Sequence, residues 1–378
     1  MPSNNPPQAP TLELGRRPSA GDVSTFPGGR VSYLAPLPLP TGLPARDHAH
    51  AVGEVNDTYL DFGVGLPPVF GWQLTLGGPF SGWIMSVVLL PLIGALLVML
   101  VGGGSELAFE AIVELSSLGL GIGSLVALGT LALGLGIWLN KDSKRQGIFP
   151  TRFNRQRREV CFVPEGHTEP VFVSWESLSA WVIEAQGATQ YGIQRQYGMG
   201  VGFHHAESGE DYSLEFPCSG FPLAIANWEA IRAYMEYQVH SLKEIQDPFD
   251  LQGPDDPPHE GLHTFRNARA RMRRRYREGE VGVFYVAGWY LYHLMTLWTL
   301  PFRLTDWEVA RAKRQRRQDL PAALREWSQP LPPEQWAKPS AELQHQSRQV
   351  EELRRRNPQH SLIEIFAEVR RGAVKKPA

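Results

Sequence analysis

Between Phe62 and Ser105 the chain runs 44 residues without a charged side chain, and a second uncharged stretch follows from Leu115 to Asn140. A water-soluble domain has no use for so much apolar chain in one place. Within the first stretch, Trp83–Val101 (WIMSVVLLPLIGALLVMLV) is broken only by Ser86, Pro91 and Gly94. A helix over this segment is roughly 28 Å long at 1.5 Å per residue, close to the ~30 Å hydrocarbon core of a bilayer. The second, Leu118–Leu139 (LGLGIGSLVALGTLALGLGIWL), is long enough to span with some tilt. The pattern predicts two transmembrane helices joined as a hairpin over residues 81–140.

Basic residues set the expected topology. Lys141, Lys144, Arg145, Arg152, Arg155, Arg157 and Arg158 follow the second helix, whereas the connection Gly102–Ser117 holds only Glu106, Glu110 and Glu114. The positive-inside rule then places residues 141 onward in the cytoplasm, and a hairpin returns the N-terminus to the same side. No basic n-region with an apolar h-region opens the chain, so the first membrane helix is expected to be its own insertion signal. Cys161 and Cys218 are the only cysteines, too few for a disulfide framework and without metal-ligand spacing.

Composition divides the rest. Residues 1–45 contain ten prolines and read as a disordered tail, and 46–80 form a juxtamembrane segment with a strand-like patch at Thr58–Phe62. Residues 150–245 read as the folded cytoplasmic domain. Strand-forming runs occur at Val160–Val163, Val171–Trp175, Ala180–Glu184, Met199–His204 and Tyr212–Phe216. A helix is expected at Pro222–His240, with Glu229, Arg232 and Glu236 outside its apolar stripe. Antiparallel strands followed by one helix make an α+β arrangement, and a pleckstrin-homology-like barrel capped by its C-terminal helix is the simplest candidate. Residues 246–264 form a Pro- and Asp-rich linker, 265–304 a basic cluster with an aromatic membrane-associated segment, and 305–378 a polar helical tail.

The third apolar stretch, Val281–Phe302, carries Trp289, Trp298 and several tyrosines, which favour the headgroup level. Basic clusters flank it on both sides, so an in-plane or re-entrant segment is the first reading and a third span the second. Arg266, Arg269, Arg271, Arg273, Arg274, Arg275 and Arg277 precede it. With Trp289 and Trp298 they make the candidate lipid-binding set, each basic residue near an anionic surface contributing ~1 kcal/mol. Arg152, Arg155, Arg157 and Arg158 are expected to sit against headgroups, and Trp175 and Trp228 to anchor the domain core. Gly119, Gly123 and Ala127 recur at four-residue spacing and suit close helix packing, within the hairpin or between copies.

Chemistry is thin. His204, His205, Glu207, Glu210 and Asp211 form the densest metal-capable cluster, but adjacent strand histidines point to opposite faces, and a polar hairpin loop is the simpler reading. His167 and Glu169, and His48 and His50, alternate in the same weak way. Gly198, Gly200 and Gly202 lack the Lys-Ser/Thr of a phosphate loop, and no nucleophile motif occurs. Neither cofactor, metal nor catalytic residue is expected. A net charge of −2 and the lack of aromatic-basic interleaving point away from nucleic acid.

Four motifs carry a resemblance. They are Tyr59-Leu60-Asp61, Arg152–Val160 (RFNRQRREV), Val173–Glu176 (VSWE) and Trp228–Glu236 (WEAIRAYME). In this order around two apolar helices, the chain resembles an uncharacterised family of proteobacterial two-helix membrane proteins often found near type VI secretion effector genes. The resemblance covers about residues 55–240 and part of the third apolar stretch. It implies a multi-pass inner-membrane protein with N-terminus and main domain cytoplasmic. It also implies a protein partner such as a secreted toxin or a secretion component, and an immunity or accessory role. It supplies no catalytic residues. A lipid-responsive scaffold and a membrane-anchored metal-dependent hydrolase using the His204/His205/Glu207 loop are the competing readings.

Overall fold

The computed structural model describes residues 18–63, 65–145, 149–164, 169–189, 192–205, 209–246, 248 and 250–374. The chain is α+β, with two antiparallel sheets and two long apolar helices, and it divides into two units. One unit takes the N-terminal residues through Gly65, then Phe149–Asp247, then the chain from Leu320 onward. The other takes Leu66–Ile148 and Pro248–Asp319.

The first unit opens on strands where the proline count predicts a disordered tail. β1 (Val23–Phe26) and β2 (Gly29–Ala35) form a hairpin in which Phe26 faces Gly29. Pro27 fixes its own φ and Gly28 sits at φ +86°, the pair that a tight two-residue turn requires. The prolines here occupy turns and coil and leave the strands intact. β3 (Val52–Val55) and β4 (Tyr59–Phe62) follow before the apolar helices. After them come β5 (Thr151–Asn154), β6 (Glu159–Phe162), β7 (Val171–Ser174), β8 (Ser179–Thr189), β9 (Gly192–His205) and β10 (Glu210–Cys218). The sheets run β1-β2-β8-β9-β10 and β3-β4-β5-β6-β7. The folded domain therefore does not begin at residue 150: four of its strands precede the helices. Gly200 and Gly202 of β9 make room for the Trp181 indole, which a Cβ at Gly200 would approach to 2.3 Å.

The helix Phe221–Met235 is buried on every side, not on one stripe. Trp228 and Trp175 are both fully buried, their rings 5.3 Å apart, and anchor the core as expected. Glu229 and Arg232 do not face solvent. They pair inside, and Glu229 also accepts from the Thr41 amide and hydroxyl at 3.2 and 2.8 Å. Coil around Leu39–Thr41 covers the side that periodicity assigns to water. The C-terminal tail contributes to the same core. In helices Ala341–Arg356 and Leu362–Val374, Leu343, Val350, Ile365, Phe366 and Val369 are buried with the sheet residues.

The arginines after the second apolar helix are structural. Arg152 meets Asp61 through two bonds of 2.6 and 2.8 Å, and both side chains are buried. Its third nitrogen donates to Ser328 Oγ at 2.8 Å, and its guanidinium lies 3.7 Å from the Tyr59 ring centroid. Arg155 donates to the Asp57 carboxylate and the Val239 carbonyl and lies between the Tyr234 and Tyr237 rings. Arg158 joins Glu236 and Glu176. The expectation that Arg152, Arg155 and Arg158 rest on headgroups fails, because each is buried and engaged by a carboxylate. Arg157 is half-buried and donates to the Trp327 carbonyl.

Candidate membrane-contact surface

The second unit is helical. Its two longest helices, α1 (Val69–Leu100) and α2 (Ser105–Ser143), are long and apolar enough to cross a membrane. Most of their large side chains are exposed: Leu92, Leu96, Leu97, Leu100, Leu125 and Leu133 are all at least half accessible. The helices pack on each other through small residues. A Cβ added to Gly119 would fall 2.3 Å from the Ser86 carbonyl oxygen, and one added to Gly123 would fall 2.2 Å from Ser86 Oγ. The expected packing positions Gly119 and Gly123 thus meet α1 of the same chain. Ala127 lines a groove of about 840 Å³ along the same seam, walled by Gly71, Gly78, Gly82 and Gly134, with Lys141 at one end.

Side-chain contacts fix the register of the pair. Trp83 Nε1 donates to Ser124 Oγ at 2.9 Å and Ser116 Oγ to the Val87 carbonyl at 3.0 Å. A Cβ on Gly94 would lie 2.6 Å from Leu115 Cδ1. Glu114, next to Leu115, is therefore level with Gly94 and Ala95, and Glu110, one turn further, is level with Val98. The segment predicted as a polar connection, Gly102–Ser117, is helical from Ser105, so Glu106, Glu110 and Glu114 line one helix face. All three are exposed, flanked by exposed Leu107, Phe109 and Val113.

Three further helices complete the unit: α3 (Leu262–Arg277), α4 (Val283–Met295) and α5 (Leu300–Asp319). Phe265 and Met272 of α3 face inward, and Arg266, Arg273 and Arg277 recur at i, i+7 and i+11 on an exposed face with Arg274 beside them. Within this face Arg273 donates to the Tyr290 hydroxyl at 3.4 Å and Arg277 Nε to the Arg273 carbonyl at 3.4 Å, and the remaining three arginines are engaged as well. Arg269 lies 5.9 Å from the Phe265 ring, Arg271 pairs with Asp250 at 3.1 Å, and Arg275 pairs with Glu280 at 3.0 Å beneath Tyr285.

The third apolar stretch is not one helix. α4 has 13 residues, about 20 Å and well short of the ~30 Å of a bilayer core. It ends where Leu297 and Trp298 take left-handed φ of +64° and +58°, and α5 starts at Leu300. Trp289 and Trp298, read from sequence as lipid contacts, pack half-buried against Val69, Phe265 and Phe302. Trp289 stacks on His293 at 3.8 Å and Trp298 on Tyr290 at 5.8 Å. The outward apolar residues are Val283, Phe284 (90 % exposed), Leu291 and Leu294. Sequence reading passed over them for the tryptophans. The seven-residue interval from Phe284 to Leu291 was the available signal, because it places them on one helix face.

A polar junction ties these helices together. The Glu260 carboxylate accepts from the Val69 amide at 2.7 Å, satisfying a donor at the start of α1. Trp72 Nε1 donates to Glu308 at 2.9 Å. Asp306 accepts from the Leu262 amide and meets His259 Nε2 at 3.2 Å. Burial holds the His259 imidazole below its ordinary pKa, with Asp306 opposing.

The chemical candidates do not converge. His204 pairs with Asp211 at 2.9 Å, whereas the His205 ring lies beside Tyr212, so the two histidines diverge as strand alternation requires. Glu207 and His167 lie outside the described residues. Among the described residues no three His, Cys, Asp or Glu side chains gather as a metal site. Cys161 is fully buried, and burial pushes its thiol up to about 12. Comparison with protein-family models, with curated proteins and with solved structures finds no match.

Proposed function

We propose that this chain is a non-enzymatic binding protein anchored in a bacterial inner membrane by α1 and α2, with a role as immunity or accessory factor for a type VI secretion effector. The observation that carries the anchoring is the pair of long helices whose apolar side chains point outward over nearly their whole length. The exposed arginine face of α3 and the apolar face of α4 belong to the same unit and suit a headgroup surface with anionic lipid. The secretion link rests on the order of the four motifs around the two helices. A lipid-responsive scaffold is the second reading, favoured by the exposed stripe Arg266, Arg273 and Arg277.

Helix register sets the depth of the anchor. Placing Trp83–Val101 in hydrocarbon carries Glu114 to mid-depth, at roughly 2.5–3.5 kcal/mol for a charge at the helix centre, and Glu110 in nearer the edge at a smaller further cost. Sliding the pair outward so that Leu96–Val101 leave the bilayer forfeits only ~0.3–0.6 kcal/mol per apolar residue, about 2–4 kcal/mol together. The carboxylates dominate. A Cβ on Gly134 would lie 3.0 Å from Thr75 Cγ2, so a core of ~30 Å fits Leu115–Gly134 with Thr75–Gly94 opposite, and the tip beyond Gly94 and before Leu115 stands clear of it.

The test is affinity purification of detergent-solubilised full chain from a bacterial host carrying a type VI system, with a variant lacking residues 66–148 as control. One effector or secretion component recovered with the full chain supports the reading, and the control assigns the part that binds. Recovery of anionic lipid without any protein favours the scaffold.

A further inference from the structure

The tip of the helix pair combines two features that do not belong together in water without a partner. Leu96, Leu97 and Leu100 on α1 and Val101 just past its end are 55–88 % exposed, and Phe109 on α2 is 66 % exposed. Beside them run Glu106, Glu110 and Glu114 at four-residue spacing on one face. Hydrocarbon would cover the leucines but not the carboxylates, and water the reverse. A surface that is apolar and acidic on adjacent faces is complemented by one that is apolar and basic.

Resting on the anchoring described above, we propose that the tip, residues 94–114, is a docking site for a cationic amphipathic helix of a partner protein on the far side of the membrane from Lys141. The partner's apolar face covers Leu97, Leu100, Val101 and Phe109, and its lysines or arginines meet the glutamate row. The i, i+4 recurrence of the glutamates matches the same recurrence of basic residues along a helix, so one orientation engages all three at once. Such binding gains from charge attraction and weakens as salt screens it.

Two measurements on full-length protein in phosphatidylcholine nanodiscs test this. Depth is read first, in a background with Cys161 and Cys218 replaced by alanine, from labelling of Val101→Cys, Phe109→Cys and Leu125→Cys with a membrane-impermeant maleimide. Rapid labelling at 101 and 109 with protection at 125 is the expected result. Protection at all three sinks the protruding tip while leaving the anchor intact, whereas rapid labelling at all three sinks the anchoring itself. Docking is read next with an 18-residue Leu/Lys amphipathic helical peptide as probe, corrected for binding to empty nanodiscs. It should bind at least tenfold more tightly to the native chain than to Glu106→Gln/Glu110→Gln/Glu114→Gln, with the difference lost in 1 M salt. Leu100→Ser/Val101→Ser should weaken it independently. Equal binding to native and triple-glutamine chains, or equal binding of a Leu/Glu peptide, overturns the docking site.

Discussion

Replacing Asp61 by asparagine removes one charge from the buried pair that joins β4 to β5 across the long helical excursion. Arg152 then keeps its charge with its side chain only 7 % exposed, while the two-oxygen carboxylate that faced it becomes an amide that can accept through Oδ1 alone and turns an NH2 donor toward the guanidinium. Breaking a buried pair by deleting one partner costs about 3–5 kcal/mol, far more than an exposed pair would. Cys161 offers a local reporter: it faces Arg152 in the ladder, is fully buried, and its thiol is raised by burial to about 12. Alkylation of Cys161 in a Cys218→Ala background therefore requires the sheet to open. When closing is fast, the alkylation rate follows the opening equilibrium. Asp61→Asn should accelerate it by roughly two to three and a half decades, at 1.36 kcal/mol per decade. Asp61→Leu combined with Arg152→Met leaves no orphaned charge and should recover most of the protection. An acceleration below threefold, or a double variant as labile as the single one, would refute the assignment of Arg152 to a structural ion pair.

Other consequences are simpler to state. His259 has a depressed folded pKa, so below about 6.5 the unfolded chain binds more protons than the folded one, and stability should fall as pH drops through that range. Lys313 and His263 also disfavour its charge and Asp306 favours it. Melting curves from pH 8 to 5 should show a shallower acid loss for His259→Gln than for the native chain. Gly119→Ala puts a methyl group against the Ser86 carbonyl and should destabilise the helix pair by about 1–3 kcal/mol, seen as faster proteolysis in detergent, whereas Ala127→Leu, facing the groove, should be tolerated. Reversing Arg266, Arg273 and Arg277 to glutamate should remove at least ~3 kcal/mol of attraction to anionic lipid. A polarity-sensitive dye at Ala270→Cys, amid that stripe, should then report a wetter site in anionic nanodiscs and no change in zwitterionic ones.

Sequence alone determined what depends on composition and short-range periodicity. The two long helices follow from uncharged length. β6 to β10 appear where β-branched and aromatic residues cluster, and the helix over Phe221–Met235 where apolar residues repeat. The burial of Trp175 and Trp228 was legible because large apolar side chains in strong elements rarely find a reason to be wet. Tertiary structure decided whatever depends on which distant segment covers a polar group. The same arginine that would sit on a headgroup is buried once Asp61, ninety-one residues away, lies opposite it. Glu229 and Arg232 read as a solvated face until the coil at Leu39–Thr41 closes over them, and a proline-rich tail becomes sheet when β8 accepts β2 as its neighbour. From sequence the three glutamates belong to the solvated connection between the spans. Only the side-by-side register of α1 and α2 shows that they stand level with Gly94–Val101, because the level of a charge in a helix pair is set by contacts between helices and not by position along either one.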